Sequence, residues 1–393
     1  MSVQPVVVRR EVSPLELFYD LVFVFAVSQL SHHLLMHLSW RGAAETAIML
    51  VAVGGVWTST SFDVAMLDVE RPRTKLMIVV LMVLGLFMNA AITAAFAERG
   101  WLFVAPLLTI LVGHHVVMSR LSPTGVLRRH YARALVWSLV SVPLWLAGAA
   151  AAPGQRLAWW AGAAAVELLG FWLAHPLPGR RLESAHLDLD VDHMLERLRL
   201  FLMILFGETV LTIGRVIAET PVTAASLAAS VGVLLAVLCL WATYFGGAED
   251  LVARHLRATT DPIRSIRLGA NITYGILVGL VAVAVGSDHV IADPLGPGSV
   301  PLALLLFGGI GVYFASQAWF FHAVIRDAWA PRLVACGAVA VLGVLATRVL
   351  PMVSLALLDA LLVGVVIRLL RVHRTIAAEA TRRNPASAPP EGT

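Results

Sequence analysis

Apolar residues run along this chain in blocks of roughly 18 to 25, each long enough to cross a bilayer as a helix. Short stretches bearing arginine, proline or glycine separate the blocks. The pattern predicts twelve helices, over 15–38, 43–63, 75–97, 101–119, 131–152, 157–174, 197–218, 224–246, 267–287, 302–323, 331–347 and 350–371. The predicted fold is therefore an all-α polytopic integral membrane protein. Residues 1–14 form a cytoplasmic N-terminus, 15–174 a first half of six helices, and 197–371 a second half of six. The polar connection 175–196 joins them and turns acidic in HLDLDVDHMLE. From Thr375 apolar periodicity is lost, so 372–393 is predicted to be a disordered cytoplasmic tail.

Composition narrows the class further. With 59% apolar and only 14% charged residues, the chain is unlike a soluble domain. The opening MSVQPVVVRREVSP lacks the ordered regions of a signal peptide, so the first apolar block is expected to stay as a spanning helix. Basic residues cluster in alternate connections, with Arg71, Arg73, Lys75, Arg128, Arg129, Arg180, Arg181, Arg254 and Arg257 in one set. The opposite set holds only Arg41, Arg99, Arg156, Arg215 and Arg348. By the positive-inside rule both termini are cytoplasmic. The net charge of +4 comes from these loops, and no basic and aromatic cluster suggests nucleic acid as a partner. Cys239 and Cys336 both lie in apolar blocks, which speaks against a disulfide framework or a thiolate metal site.

The two halves resemble each other in their polar positions. ELFYDLVFVFAVSQL from Glu16 sets against ERLRLFLMILFGETVLTI from Glu196, with Ser28 and Gln29 opposite Glu208 and Thr209. VWTSTSFD from Val56 sets against LWATYFGG from Leu240. The last helix of each half carries a central acid, Glu167 and Asp359. Two even-numbered halves give copies of the same orientation, a parallel repeat.

Ionisable residues inside a span are costly and need protein or water around them. Ser13, Pro14 and Glu16 read as a helix start with a capping box, so Glu16 has a local structural role. Asp20, one turn deeper on the same face, calls either for a basic partner such as Arg71 or Arg197 or for a place on a pathway. Glu208 falls about 15 Å into its helix and follows Gly207. Asp20, Gln29, Glu167, Glu208 and Asp359 are the candidate proton, cation or substrate pathway, with Glu16, Asn89, Thr243, Tyr244 and Asn271 in support. The competing reading of these groups is hydrogen-bonded glue between helices.

His33 and His37 share a face near the end of the first helix, and His114 and His115 lie in the fourth. Without a nearby HExxH glutamate or cysteine ligand, the spacing does not define a metal site. DLDVD lacks the glycine and terminal glutamate of a calcium loop. With no nucleophile elbow, P-loop or dinucleotide fingerprint, no catalytic, cofactor or metal site is expected, and the chain is read as a non-enzyme.

The segments SPLELFYDLVFVFAVSQLS, ERLRLFLMILFGETVLTIG and LWATYFGGAEDL together resemble the bacterial low temperature requirement A family of membrane proteins. The resemblance covers most of the chain and implies a multi-pass protein of the bacterial inner membrane. Where the family usually carries an acid in an aromatic-rich run, this chain reads WATYFGG, and GANITYG has Asn271 and Thr273 where a histidine is usual. The expected function is a proton- or cation-coupled secondary transporter whose halves rock about midplane carboxylates. The alternative is a non-transporting sensor or scaffold with structural acids. The expected partners are the lipid bilayer and a small solute or ion, and a homo-oligomer is compatible with the sequence.

Overall fold

A computed structural model describes residues 12–66, 69, 71–122, 125–177, 191–259 and 262–383. These residues form helices and no strand: α1 (Pro14–Met36), α2 (Trp40–Met66), α3 (Pro72–Ala90), α4 (Gly100–Leu121), α5 (Gly125–Ala150), α6 (Pro153–Trp172), α7 (Val191–Glu219), α8 (Ala224–Phe245), α9 (Ala248–Ala258), α10 (Pro262–Ala292), α11 (Val300–Ile325), α12 (Trp329–Ala346) and α13 (Pro351–Arg383). Each of the twelve predicted spans coincides with one long helix. Eleven spans among the described residues are long and apolar enough to cross a membrane. The remaining predicted helix, α6, is less apolar because it carries Gln155, Arg156 and Glu167 among alanines and glycines.

Two elements differ from the sequence reading. The short amphipathic α9 was not predicted; it begins after Gly247, whose φ of 100° is a left-handed conformation suited to glycine. Helix α13 runs on to Arg383 through the region predicted to be disordered from Thr375. Alanine and arginine, good helix formers, extend it beyond its apolar stretch. The acidic stretch before α7 and residues 384–393 lie outside the described residues.

The chain forms two compact units: Met1–Glu208 with Thr260–Val281, and Thr209–Thr259 with Ala282–Thr393. Their boundaries fall within α7 and α10, so the first unit contains the start of α7 besides α1 to α6.

In the first unit α1 packs on α2 and α3, α3 on α4, α4 on α5, and α5 on α6, while α2 touches α1, α4 and α6. α2 is the most enclosed of the eleven spans, with 72% of its most apolar stretch buried. Its polar run WTSTSFD therefore faces protein rather than lipid. At the far end of this unit Arg156 of α6 is buried and donates from Nη1 to the carbonyls of Ala95 and Ala97, at 2.7 and 2.8 Å, and from Nε to Gly148 at 3.0 Å. One guanidinium so caps the end of α5 and the turn after α3, where helical carbonyls lack partners and cations are favoured. Its Cζ stands 5.4 Å from the ring of buried Trp160. Arg156→Met is expected to lower unfolding stability by about 3 kcal/mol, since several buried acceptors lose their donor. Arg156→Lys should recover only part, because an ammonium cannot fork across both helix ends. Chemical denaturation in detergent micelles measures both.

In the second unit α8 packs on α13, α12 on both α11 and α13, and α9 against α8 and the end of α11. α11 contains two π-helical segments, Ala303–Phe307 and Phe321–Ile325. Gly286 of α10 abuts the first of them: a Cβ there would lie 2.6 Å from the backbone nitrogen of Leu306, so only glycine permits the approach. Arg332 is fully buried, donates to Gln317 Oε1 at 3.0 Å and to the Ala328 carbonyl at 2.6 Å, and lies 3.6 Å over the Phe321 ring. It also faces His373 Nε2 at 3.3 Å, while His373 Nδ1 faces the Gly246 carbonyl at 3.0 Å. A carbonyl only accepts, so Nδ1 carries hydrogen and Nε2 can accept from the arginine. This cluster locks α11, α12 and α13 together.

Candidate functional site: a buried polar network and cavity in the first unit

The network is built on the inward face of α2. Trp57 donates from Nε1 to Asp20 Oδ1 at 2.8 Å, and Arg197 Nη2 meets the same oxygen at 3.2 Å. Arg197 Nη1 is 3.8 Å from Glu16 Oε1, and His193 Nε2 is 3.1 Å from it. All four ionisable groups are at most 1% exposed. Glu16 completes the predicted capping box, accepting from the Ser13 amide at 2.7 Å while Ser13 caps α1. Of the two basic partners considered for Asp20, Arg197 is the one that pairs with it. The guanidinium also lies 5.5 Å from the Tyr19 ring, and Phe201 stacks on Trp57 at 3.9 Å. Two acids and one arginine are thus sealed between aromatic rings, an ion-paired clamp joining α1, α2 and α7.

Two turns along α2 from Trp57, Asp63 is fully buried. Tyr131 of α5 donates its hydroxyl hydrogen to Asp63 Oδ1, and His114 Nε2 of α4 meets Oδ2. The Tyr19 hydroxyl interacts with Thr60 and is within electrostatic range of both this carboxylate and Asp20. A second chain of polar groups runs beside it. His115 Nδ1 pairs with Ser138 Oγ at 3.1 Å, and Ser141, one turn on, donates to Glu167 Oε1. Because Ser138 and Ser141 are three residues apart on α5, they share a face and carry the polar line from α4 to α6.

These groups border cavities. One of about 90 Å³ is lined by Asp63, His115, His130, Tyr131, His175 and Arg267, together with apolar groups that include Phe62 and Phe171. A smaller one of about 30 Å³ adds Glu167 and Tyr274 and shares Ser59, His115, Phe171 and His175 with the first. Tyr274 reaches it across α2 at Gly54, where a Cβ would fall 2.6 Å from the ring. His175 arrives by an unusual path. Beyond α6 both Ala174 and His175 have positive φ, 58° and 52°, and the His175 amide donates to the Gly170 carbonyl at 2.7 Å. Trp137 holds the next residue by donating from Nε1 to the Pro176 carbonyl at 3.0 Å. Left-handed backbone costs about 1–2 kcal/mol per non-glycine residue. Burial, reinforced by His130, Arg133 and Arg267, lowers the His175 imidazole to a pKa of about 3, so it is neutral at ordinary pH.

The structure brings together some of the predicted site residues and separates others. Glu167 joins the cavity; Asp20 and Glu16 belong to the clamp. Asn89 is buried and donates to the Val22 carbonyl at 2.7 Å, tying α3 to α1. Gln29 and Asn271 are half-buried. Glu208 is half-buried and forms no ion pair among the described residues. In the second unit Asp359 is nearly buried, and a Cβ on Gly232 would lie 3.1 Å from its Oδ2. Thr243 bonds to the Leu240 carbonyl in its own helix, with the Tyr313 hydroxyl 3.4 Å away, and Tyr244 stacks edge-on against Phe245. Residue types alone did not single out Asp63, His130, Tyr131 or His175. The available signal was the acid closing the polar run WTSTSFD in an apolar helix. The histidine pair at the end of α1 is tied to protein: His33 Nε2 faces Glu45 Oε2 at 3.2 Å, and Arg41 Nε donates to Glu45 Oε1 at 2.8 Å.

A bundle of apolar helices enclosing titratable groups and a small cavity defines the class: a polytopic α-helical membrane protein with a polar interior. The chain belongs to the bacterial low temperature requirement A protein (LtrA) family, whose pattern it matches over residues 11–367. It is 32% identical over 318 residues to the uncharacterized protein RA0937 of Rhizobium meliloti (strain 1021), covering 77% of this chain and 75% of that protein. No solved structure matches it.

Proposed function

We propose that this protein is a proton-coupled secondary transporter of the bacterial inner membrane, with both termini in the cytoplasm and a small solute as cargo. The observation that carries the reading is two neighbouring sets of titratable and hydroxyl groups, Asp63 with His114 and Tyr131, and His115, Ser138, Ser141 and Glu167, running beside a cavity inside an apolar bundle. Histidines and carboxylates joined by hydroxyls can pass a proton by rotating and re-forming hydrogen bonds, and intramembrane groups of this kind mark proton relays. A helix scaffold has no need of a cavity beside its polar contacts, because close packing without voids is more stable. The clamp of Glu16, Asp20 and Arg197 fits a structural part in the same protein, since one guanidinium pairs with both acids and His193 Nε2 adds a contact to Glu16.

The test uses the purified full chain in proteoliposomes carrying an internal pH dye. An imposed proton gradient, with a panel of small solutes outside, should produce solute-dependent pH change. Glu167→Gln should reduce that rate about a hundredfold, the lower end of the range usual for loss of a positioned proton-transfer group. If the wild type moves no proton with any solute while Glu167→Gln only lowers the melting temperature, the acids are structural and the transport reading is wrong.

A further inference from the structure

In the second unit α12 and α13 leave between them a groove of about 570 Å³, well within the size of a ligand site. Each helix lines it with one face at four-residue spacing, Ala330, Val334 and Ala338 from α12 and Ala360, Gly364 and Arg368 from α13. The α13 face runs about 12 Å along the helix axis. Small residues between helices ordinarily let the backbones close up, yet here space remains. A Cβ on Gly364 would meet nothing within 4 Å, and Val334 is 71% exposed, so the groove opens outward toward lipid.

The depth of the groove follows from helical rise. Arg368 stands about 26 Å beyond Pro351, the first residue of α13, close to the roughly 30 Å thickness of a hydrocarbon core. The guanidinium therefore sits at headgroup level, with the apolar part of the groove running inward from it. Arg371 and Arg374 follow about 4.5 and 9 Å further along the axis, each within about one Debye length of Arg368. All three arginines are exposed, and none forms an ion pair among the described residues.

We propose that this groove holds one anionic phospholipid, with an acyl chain along the small residues and the phosphate on Arg368. The apolar wall does not choose among lipids, because an acyl chain is as well placed among its neighbours in the bilayer as against alanine. Selection falls to the headgroup. A guanidinium meets a phosphate in two-pronged geometry, and basic pockets between spanning helices bind anionic headgroups. A zwitterionic headgroup would bring its own cation toward Arg371 and Arg374, whereas a phosphatidylglycerol headgroup brings none. A second copy of the chain fits less well. Two copies related by an axis along the membrane normal, with α13 against α13, would set two Arg368 side chains at the same depth. The lipid site would serve a transporter or a scaffold equally.

The test is native mass spectrometry of the full chain in detergent micelles mixed with phosphatidylglycerol or with phosphatidylcholine of the same acyl chains, with thermal unfolding in parallel. Phosphatidylglycerol should be retained as a single lipid about fivefold more than phosphatidylcholine, the factor expected of one arginine at an anionic headgroup, and should raise the melting temperature. Arg368→Gln should bring the two lipids to the same level. Gly364→Phe, whose ring enters open space, should remove the single-lipid species with either lipid. Without lipid both variants should melt as the wild type does, and Arg368→Gln decides the question alone if Gly364→Phe is unstable. Equal retention of the two lipids by the wild type would overturn the proposal. So would phosphatidylglycerol retention unchanged by Arg368→Gln or by a folded Gly364→Phe. Inorganic phosphate giving the full stabilisation without lipid would overturn it in favour of a free anion. Gly364→Phe splitting a wild-type dimer with lipid retention unchanged would assign the groove to a second copy instead.

Discussion

Arg197→Met should destabilise the protein by about 3–5 kcal/mol, the usual cost of removing one partner from a buried ion pair. Methionine preserves much of the volume between Tyr19 and Phe201, so lost packing is a minor contribution. What remains is Glu16 and Asp20, each at most 1% exposed, facing an apolar side chain, with His193 Nε2 still 3.1 Å from Glu16 Oε1 and no partner of charge left for Asp20 among the described residues. Trp57 still donates to Asp20, and Ser13 still donates to Glu16, but neither supplies a charge. Neutralising the acids in the same background, with Glu16→Gln and Asp20→Asn, should restore most of the stability, because hydrogen bonds satisfy amides without a counter-ion. Unfolding midpoints of the single and combined variants in detergent micelles give the coupling directly. A combined variant no more stable than Arg197→Met would mean the three groups do not act as one clamp. Arg197→Lys should fall between wild type and Arg197→Met, since the compact ammonium cannot meet both carboxylates in the fork that guanidinium provides.

Asp63→Asn should abolish solute-dependent proton flux, lowering it about a hundredfold or more, while leaving the helical content intact. The amide matches the carboxylate in shape and can still accept from Tyr131, so the bundle has no steric reason to rearrange. An amide does not take up or release a proton in the physiological range, which removes the acid at one end of the line shared with His114. Tyr131→Phe should give a smaller loss, because it removes a donor to Asp63 without removing the titrating group. Rates in proteoliposomes, normalised to protein that runs as a single sharp species by size exclusion, measure both. Flux by Asp63→Asn equal to wild type would place the proton route elsewhere, and Glu208 would then be the next residue to substitute.

Both predictions depend on residues whose partners are far away along the chain. The Asp20 to Arg197 contact spans 177 positions and the Asp63 to Tyr131 contact 68. Hydrophobic blocks report helices because a bilayer-spanning segment must bury every backbone polar group within itself. All twelve predicted spans are helices in the structure for that reason. The capping box at Ser13 and Glu16 was equally legible, as its partners lie three residues apart.

The cavity was less legible. In apolar helices, periodicity does not say which face meets protein and which meets lipid, so Glu167 and Asp359 looked alike in the sequence. Packing put Glu167 beside Ser141, His115 and Tyr274, and Asp359 beside Gly232 in the other unit. His130 and His175 fell at helix ends in the linear reading, where they resemble solvated loop residues. Only the backward turn after α6 placed His175 against His130.

By itself the sequence determined the class, the twelve long helices and their order, the family, and the local cap that starts α1. Those properties follow from segment hydrophobicity and from interactions a few residues apart. Tertiary structure alone decided which acid is neutralised by an arginine, which shares a line of hydroxyls and histidines, and where the interior stays open. Those outcomes depend on how helices distant in sequence rotate their faces toward one another, and that is set by close packing of side chains.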